Sequence, residues 1–454
     1  MVDRSDQPLS PDELAQHDIA PITARPSPLR GAFGGLLLFA LVFAYGAWSW
    51  VQFFLLPDSA GGNHVVLFTQ TDFPAVVIAS RQVASGQGGS LYDLGAQLEG
   101  QQQLTREGEL ALGPQDNRDL KYPYPYAPFI ALLWSPLSGL PPRAQMALWD
   151  LVNLALMCTG LWYLLSTLPL RPHHRLMLML GGLTCLPFII NLQQGQSSGL
   201  VLFSWAVGLA MLRRGRDFTA GVAFGLLALK VQWLPFLLLV LLWKRRWRTL
   251  LGMLAVGLGL LVLAVAVMGT GWIPDYLDVI VKAQQGAREF LLDPLYSHSL
   301  TGGLVALLGP GAESAARLVN LGAIVALAGA LLFLWRGRWS PGTAEWDGLA
   351  AVTFLAAIVT NGHLNTHDLC LLVLPAALGT AFVANRNLTP SGERTLWPYL
   401  LWATYVILAL PPGTTLALSL RLTTLVMVLL LVYLLGAVQP TRVRVEAGNL
   451  TASR

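Results

Sequence analysis

The chain has 454 residues, of which 54% are hydrophobic and only 12% charged, with a mean hydropathy of +0.56 and a formal net charge of +4. A soluble domain carries about twice that share of charge, so the composition excludes a soluble enzyme and indicates an integral membrane protein. The basic residues sit in small clusters between apolar runs, where orientation signals belong, so the basic balance is no sign of a nucleic-acid partner.

The tail 1–30 is polar and rich in Pro, Ser, Asp and Arg, a composition that stays disordered. The apolar run Ala32–Leu56 contains no Asp, Glu, Lys, Arg or His. It is too long for a signal-peptide core and no clear small-residue cleavage site follows it, so it reads as a retained anchor. Residues 57–142 form a long loop, and within it Pro57–Tyr126 hold eight acidic side chains against four basic ones. The apolar, proline-bounded stretch Ala127–Leu140 is short, and is expected to lie on or dip into the leaflet. Further spans are expected near 143–168, 175–190, 197–212, 218–229, 231–243, 247–268, 315–335, 347–360, 368–384, 396–411 and 417–438, which with 32–56 makes about 12 transmembrane helices in an all-α polytopic protein. A second polar tail covers 439–454. Cys158, Cys185 and Cys370 all lie in apolar runs, which argues against disulfides and metal clusters.

Alternate loops differ sharply in charge. The N-terminal tail, 169–175, 213–217, 244–248, 336–346, 385–395 and the C-terminal tail together hold nineteen of the twenty-nine Lys and Arg residues, whereas 191–196, 361–367 and 412–416 hold none. The positive-inside rule then puts both termini in the cytoplasm and the 57–142 loop outside. The runs 218–229 and 231–243 are each too short to cross, and basic patches flank the pair. A hairpin of short helices with Lys230 near its tip satisfies both patches. Such interrupted helices are tolerated where they line a cavity.

Polar residues in this setting are the candidates for chemistry. Asp72 stands in Thr71-Asp72-Phe73-Pro74, where Pro74 can open a helix. That helix would carry the carboxylate near its N-terminus, as a catalytic base or simply as a cap. Asp58, Asp93, Glu99 and Asp116 are rival acids. Lys230 is the one ionisable residue inside the 218–243 block. Charge at that depth costs about 2.5–3.5 kcal/mol, so it must face a partner or a cavity, or else snorkel. His298 lies in a second polar loop, and His363, Asn365, His367 and Asp368 cluster at the end of a span. Asp368 can cap the helix that follows. His363 and His367 are four apart, but the Asn-Gly before them suggests a loop and no zincin glutamate is present, so no metal site is expected. Gln193–Ser198 is a polar turn whose amides, Gln196 among them, can hydrogen-bond sugars, and it equally reads as an ordinary helix cap and turn. Trp48, Trp50, Trp134, Trp149, Trp233 and Trp272 fall near expected interfaces and read as belt anchors. No Walker motif or dinucleotide fingerprint is present.

Four stretches, in order, resemble a known family. They are Asp72-Phe73-Pro74 with Arg81, Gly86 and Leu91-Tyr92-Asp93; Tyr122-Pro123-Tyr124-Pro125-Tyr126-Ala127-Pro128 with Leu148-Trp149-Asp150; Gly195-Gln196 with Arg213-Arg214-Gly215-Arg216-Asp217 and Leu229-Lys230; and Asn361-Gly362-His363 with Asp368-Leu369 and Leu374-Pro375. Together they resemble glycosyltransferase family 87, polyprenol-phosphate-mannose-dependent mannosyltransferases of the glycosyltransferase-C fold. The resemblance implies a glycosyltransferase-C-like bundle over 31–438 with surface helices in the first outer loop, and Asp72 as catalytic base. It also implies a polyprenyl-phosphate sugar as donor and a lipid or glycan as acceptor. Relatives often carry Asn after the Gly-Gln turn where this chain has Ser197-Ser198, and Ser-Pro where it has Asn361-Gly362.

On that reading the protein is a hexosyltransferase of a bacterial-type plasma membrane, working on the extracytoplasmic side among membrane lipids, with no cofactor. A single base predicts direct displacement with inversion, and the leaving phosphate needs positive charge, for which Lys230, Arg81 and His298 are the candidates. Gln196, His363, His367 and Asp368 are candidates for holding sugar or acceptor. Two other readings stand beside it: a lipid or solute transporter, and a polymerase or ligase of lipid-linked glycans. A transporter would show related halves and ionisable residues at mid-bilayer.

Overall fold

The computed structural model describes residues 68–284, 297–385, 393–409 and 421–438, together with Ala40, Ala44 and Trp48. The expected span 32–56, apart from those three helical residues, and the tails, Asp58, Trp50 and the 412–416 loop lie outside the described residues. Among the described residues every regular element is a helix.

Three helices precede the bundle: α1 (Phe73–Ala84), α2 (Leu94–Arg106) and α3 (Pro128–Trp134). The bundle follows with α4 (Pro142–Thr167), α5 (Pro172–Thr184), α6 (Leu186–Gln193), α7 (Ser198–Arg213), α8 (Asp217–Gly225), α9 (Pro235–Trp243) and α10 (Trp247–Met268). Then come α11 (Trp272–Gln284), α12 (Leu300–Leu308), α13 (Glu313–Leu334), α14 (Ala344–Val359), α15 (Val373–Asn385), α16 (Glu393–Ala409) and α17 (Leu422–Ala437). Two tighter 3₁₀ segments, Leu226–Trp233 and Thr366–Leu372, interrupt this series.

Four helical spans are long and apolar enough to cross a bilayer alone: Pro142–Thr167, Trp247–Met268, Pro310–Leu334 and Thr366–Asn385. The pair α5 and α6, bent by 42°, makes a fifth if it counts as one span. Length and composition thus establish a multi-pass membrane protein with four or five such spans among the described residues. The other expected spans that fall among the described residues appear as shorter or broken helices. Leu251, Leu254, Leu258 and Val262 on α10, and Leu318, Leu321 and Val325 on α13, are exposed. A run of exposed apolar side chains on a long helix is a lipid-facing stripe.

The segment Pro128–Leu137 is helical but only about 15 Å long at 1.5 Å per residue, half a hydrocarbon core. It packs against α1 and α10. The expected hairpin at 218–243 is present, and its break falls at Lys230 itself, whose φ of −140° and ψ of 76° are non-helical. Packing of α8 on α10 brings backbones together: a Cβ on Gly221 would lie 2.0 Å from the Thr249 carbonyl oxygen, and one on Gly252 2.3 Å from that of Phe218. Only glycine permits that approach.

The basic loops gather at one end of the bundle. Arg213 pairs with Asp347 and donates to the Thr167 carbonyl at 2.9 Å, Lys244 donates to the Trp335 carbonyl at 3.0 Å, and Arg246 pairs with Asp217. The other end of α7 begins at Ser198, whose hydroxyl donates to Asp368 at 2.8 Å. Fifteen helical steps, roughly 22 Å, separate that contact from Arg213. The bundle is therefore polarised, with basic clamps at one end and a polar cavity at the other.

The Arg213–Asp347 pair is buried on both sides. Removing one partner leaves an uncompensated charge, so Asp347→Ala should cost about 3–5 kcal/mol. The Arg213→Met/Asp347→Leu double variant should recover most of it. Thermal denaturation of the detergent-solubilised protein measures both.

Candidate functional site

A cavity of about 270 Å³ opens at the polar end. Its lining includes Asp72 and Gln196, hydrogen-bonded to each other, with Tyr122 and Tyr126, the loop residues His363, Asn365 and His367, and, at its buried floor, the pair Lys230 and Asp368. Asp72, Gln196, Lys230, His363, His367 and Asp368, read from sequence as site residues across nearly three hundred positions, therefore share one space.

Asp72 immediately precedes α1, and Pro74 occupies the first turn, where its missing N–H costs nothing. Asp72 makes no side-chain cap to its own helix. Its Oδ2 instead accepts from Gln196 Nε2 at 2.7 Å, and the same amide donates to the Tyr126 hydroxyl at 2.9 Å. Both amide protons are thus used. The turn that aims Gln196 depends on Gly195, with φ of +63°, where a Cβ would lie 2.7 Å from Phe73 Cβ. Phe73 is held by Trp134 and Trp149, with ring centroids 6.4 Å away in each case, and Trp149 donates to the Gln196 carbonyl at 3.2 Å. Trp134, Trp149, Trp233 and Trp272 are buried, so they are packing residues and not the belt anchors expected from sequence.

The Tyr-Pro-Tyr-Pro-Tyr run is extended, and its prolines remove donors that would otherwise need partners. Two buried glutamines one turn apart on α2 hold it. Gln97 Oε1 accepts from the Tyr124 amide at 2.9 Å, and Gln101 Oε1 accepts from the Lys121 amide at 2.8 Å. Tyr124 turns inward and donates to the Ala127 carbonyl at 2.9 Å. Tyr122 and Tyr126 face the cavity.

On the floor, Lys230 Nζ lies 3.3 Å from Asp368 Oδ1, and both side chains are buried. Ser198 donates to the same oxygen, while Oδ2 accepts from the Asn365 amide at 3.4 Å as half of a capping box. His367 Nε2 lies 3.5 Å from Oδ2, and its Nδ1 meets Gln194 Oε1 at 3.0 Å. Asp368 therefore does cap its helix, and it also anchors Lys230. A lysine ammonium has three donors, so those not spent on Asp368 are available to the cavity.

The two carboxylates differ in kind. Asp368 is sealed among its partners. Asp72 is accessible through the cavity mouth, yet the protein crowded around it raises its carboxyl above the ordinary value, against the lowering effects of the Gln196 hydrogen bond and Lys230. Burial, with Asp72 adding to it, pushes the Tyr122 phenol up to about 12, and burial lifts Tyr126 further. Both phenols stay protonated. Burial lowers His363, reinforced by Arg317 and opposed by Asp368.

Two sequence candidates do not line the cavity. Arg81 lies nine residues along from Asp72, roughly 13 Å in helical rise, and pairs with Glu107 at 2.7 Å. His298 is buried, with Nδ1 at 2.7 Å from Thr423 Oγ1 and Nε2 at 3.0 Å from Thr366 Oγ1. Two hydroxyls thus occupy both ring nitrogens. Of the rival acids, Asp93 caps α2 through the Ala96 amide at 2.7 Å, Asp116 pairs with Lys121 at 3.3 Å, and Glu99 does not line the cavity. Ser198, Tyr122 and Tyr126 were assigned no individual role from sequence, and Gln194 only a share in the polar turn. Their signal lies in position, beside the Gly-Gln turn and within the alternating Tyr-Pro run. Among the described residues no three His, Cys, Asp or Glu side chains converge as metal ligands.

Gly195→Ala tests how the turn is held. The left-handed backbone alone costs about 1–2 kcal/mol with a Cβ, and the contact with Phe73 adds to it. Phe73→Leu in the Ala background should return part of the loss, read by thermal denaturation in detergent.

The sequence profile of glycosyltransferase family 87 matches residues 124–375, more than half of the chain. Gln196, Lys230, His363, His367 and Asp368 fall inside the matched region, and Asp72 lies ahead of it. No curated protein and no solved structure matches the chain.

Proposed function

The chain belongs to glycosyltransferase family 87 and is a membrane glycosyltransferase, and from that premise we propose that it moves a hexose, mannose, from a polyprenyl phosphate to a hydroxyl of a lipid or glycan acceptor. The reaction runs on the extracytoplasmic face of a bacterial-type plasma membrane, in a glycosyltransferase-C-like bundle, with inversion and with Asp72 as general base. The observation that carries this reading is one cavity lined both by an accessible, raised-pKa carboxylate and by a lysine fixed by a buried aspartate.

The chemistry follows from those two groups. An acceptor hydroxyl beside Asp72 gives up its proton to the carboxylate as its oxygen bonds to the anomeric carbon. The bond from that carbon to the phosphate oxygen breaks, and the electron pair leaves with the polyprenyl phosphate. Lys230 lies where it can stabilise that developing charge, and no protonation of the leaving group is needed. A raised pKa makes Asp72 a stronger base than an ordinary aspartate. A retaining mechanism needs a second carboxylate free to attack. Asp368 is committed to Lys230, Ser198 and the Asn365 amide, which supports single displacement. Tyr126, His363 and Asn365 offer neutral hydrogen-bonding groups suited to sugar hydroxyls. Leu229, Val231, Val279 and Ile280 give the cavity an apolar side suited to the first isoprene units.

Asp72→Asn should retain donor binding and lose transfer by about 10²-fold or more, in line with the loss of a general base. Purified protein incubated with a panel of polyprenyl-phosphate sugars and membrane lipids, read by mass spectrometry, identifies donor and product. NMR of the product reads the anomeric configuration. Wild-type turnover by the Asn variant, or retention of configuration, overturns the assignment.

The pH profile provides an independent check. Transfer needs ionised Asp72, so the rate is full above its pKa and falls as pH drops through it. Because that pKa is raised in the free protein, the acid limb of kcat/KM should lie above the ordinary aspartate range. Gln196→Leu removes a hydrogen bond that lowers the pKa, and should move the limb to still higher pH.

A further inference from the structure

A second cavity, of about 300 Å³, lies behind the first, between α5, α15 and α16. The 3₁₀ segment Thr366–Leu372 divides the two: His367 and Asp368 face the polar cavity, while Leu369, Cys370 and Leu372 line the apolar one.

Its walls offer an occupant little to hydrogen-bond. The Thr184 hydroxyl meets the Tyr405 hydroxyl at 2.9 Å, Trp397 donates to Thr380 at 3.1 Å, and Thr404 donates to the Leu400 carbonyl at 2.7 Å. A groove whose polar groups satisfy one another suits a hydrocarbon chain. One end differs. His174 lines it, and Arg171, His173 and Arg175 stand beside His174 at the start of α5, with the two imidazole centroids 4.2 Å apart. None of these four takes part in an ion pair among the described residues, and His174 Nδ1 and Arg175 Nε are buried without a hydrogen-bond partner. This basic end belongs to the 169–175 loop, in the set of basic loops opposite the polar cavity. Basic pockets between membrane helices on that side take anionic headgroups.

We propose that this groove is a binding site for an anionic phospholipid, with one acyl chain lying between α5, α15 and α16 and its phosphate held by Arg171 and His174. The site is distinct from the donor's and does not rest on the identity of the donor. Its occupant packs against the same segment that carries Asp368.

Native mass spectrometry of the full-length protein in mild detergent, titrated with phosphatidylglycerol or phosphatidylcholine, tests it. The expected result is one phosphatidylglycerol retained at about tenfold lower concentration than phosphatidylcholine. The surface variant Arg171→Gln/His174→Gln should bring the two lipids within about twofold. Ala376→Trp, which fills the groove, should abolish retention of both. Circular dichroism checks the fold of the Trp variant, and if it is unfolded the double surface variant decides alone. Equal retention of the two lipids by the wild type, an undiminished preference in the double variant, or displacement of phosphatidylglycerol by polyprenyl phosphate would overturn the proposal.

Discussion

The contact on which the site depends is the buried pair of Lys230 and Asp368. Each partner sits in a segment that departs from α-helix, one at the break between α8 and α9 and the other in the turn before α15. An unpaired charge at either position would be expensive in a bilayer. Paired, the two charges satisfy each other, and the irregular backbone around them is permissible because it lines a cavity. Pair and cavity therefore require one another. Without the cavity the broken helices would face lipid, and without the pair the cavity floor would hold an orphan charge.

The pair also separates the roles of the two aspartates. Asp368 sits among a lysine, a hydroxyl and a backbone amide, so both its oxygens are occupied by structural contacts. Asp72 has one amide partner and an open face. Titratable groups in contrasting environments are how one site keeps distinct acid-base functions. The contrast follows from where the chain carries them, one fixed within a span and one at the start of a loop helix.

What could be read from sequence followed from contrast with an apolar background. Lys230 stands out because nothing near it in the chain is charged, and Gln196, His363, His367 and Asp368 because they interrupt long apolar runs. Each lines the cavity. The same contrast misleads inside the polar loop, where charge is ordinary. Arg81 has the right sign and lies near Asp72 in sequence, but nine residues of helix carry it to Glu107. His298 is a polar residue in the right region whose two nitrogens are both absorbed by threonines. Ser198 and Gln194 resembled ordinary cap and turn residues, and only the approach of Asp368 and His367 from about 170 positions away gives them a part. The short helices among the expected spans have a related cause. A helix that ends early at a cavity has the composition of a span without its length.

The position of Asp72 is set by apolar contacts more than by its hydrogen bond. Phe73 packs against both Trp134 and Trp149, whose ring centroids lie 4.9 Å from each other, and against Gly195, so the residue before it has little freedom. A general base must sit within hydrogen-bond reach of the proton it takes, and an error of about 1 Å can cost a factor near 10² in rate. A single 2.7 Å hydrogen bond would not by itself impose that tolerance. The aromatic lock does, and it ties the loop to the bundle through the same turn that presents Gln196. Loop and bundle are thereby registered by shape, and the polar contact between Asp72 and Gln196 follows from that registration.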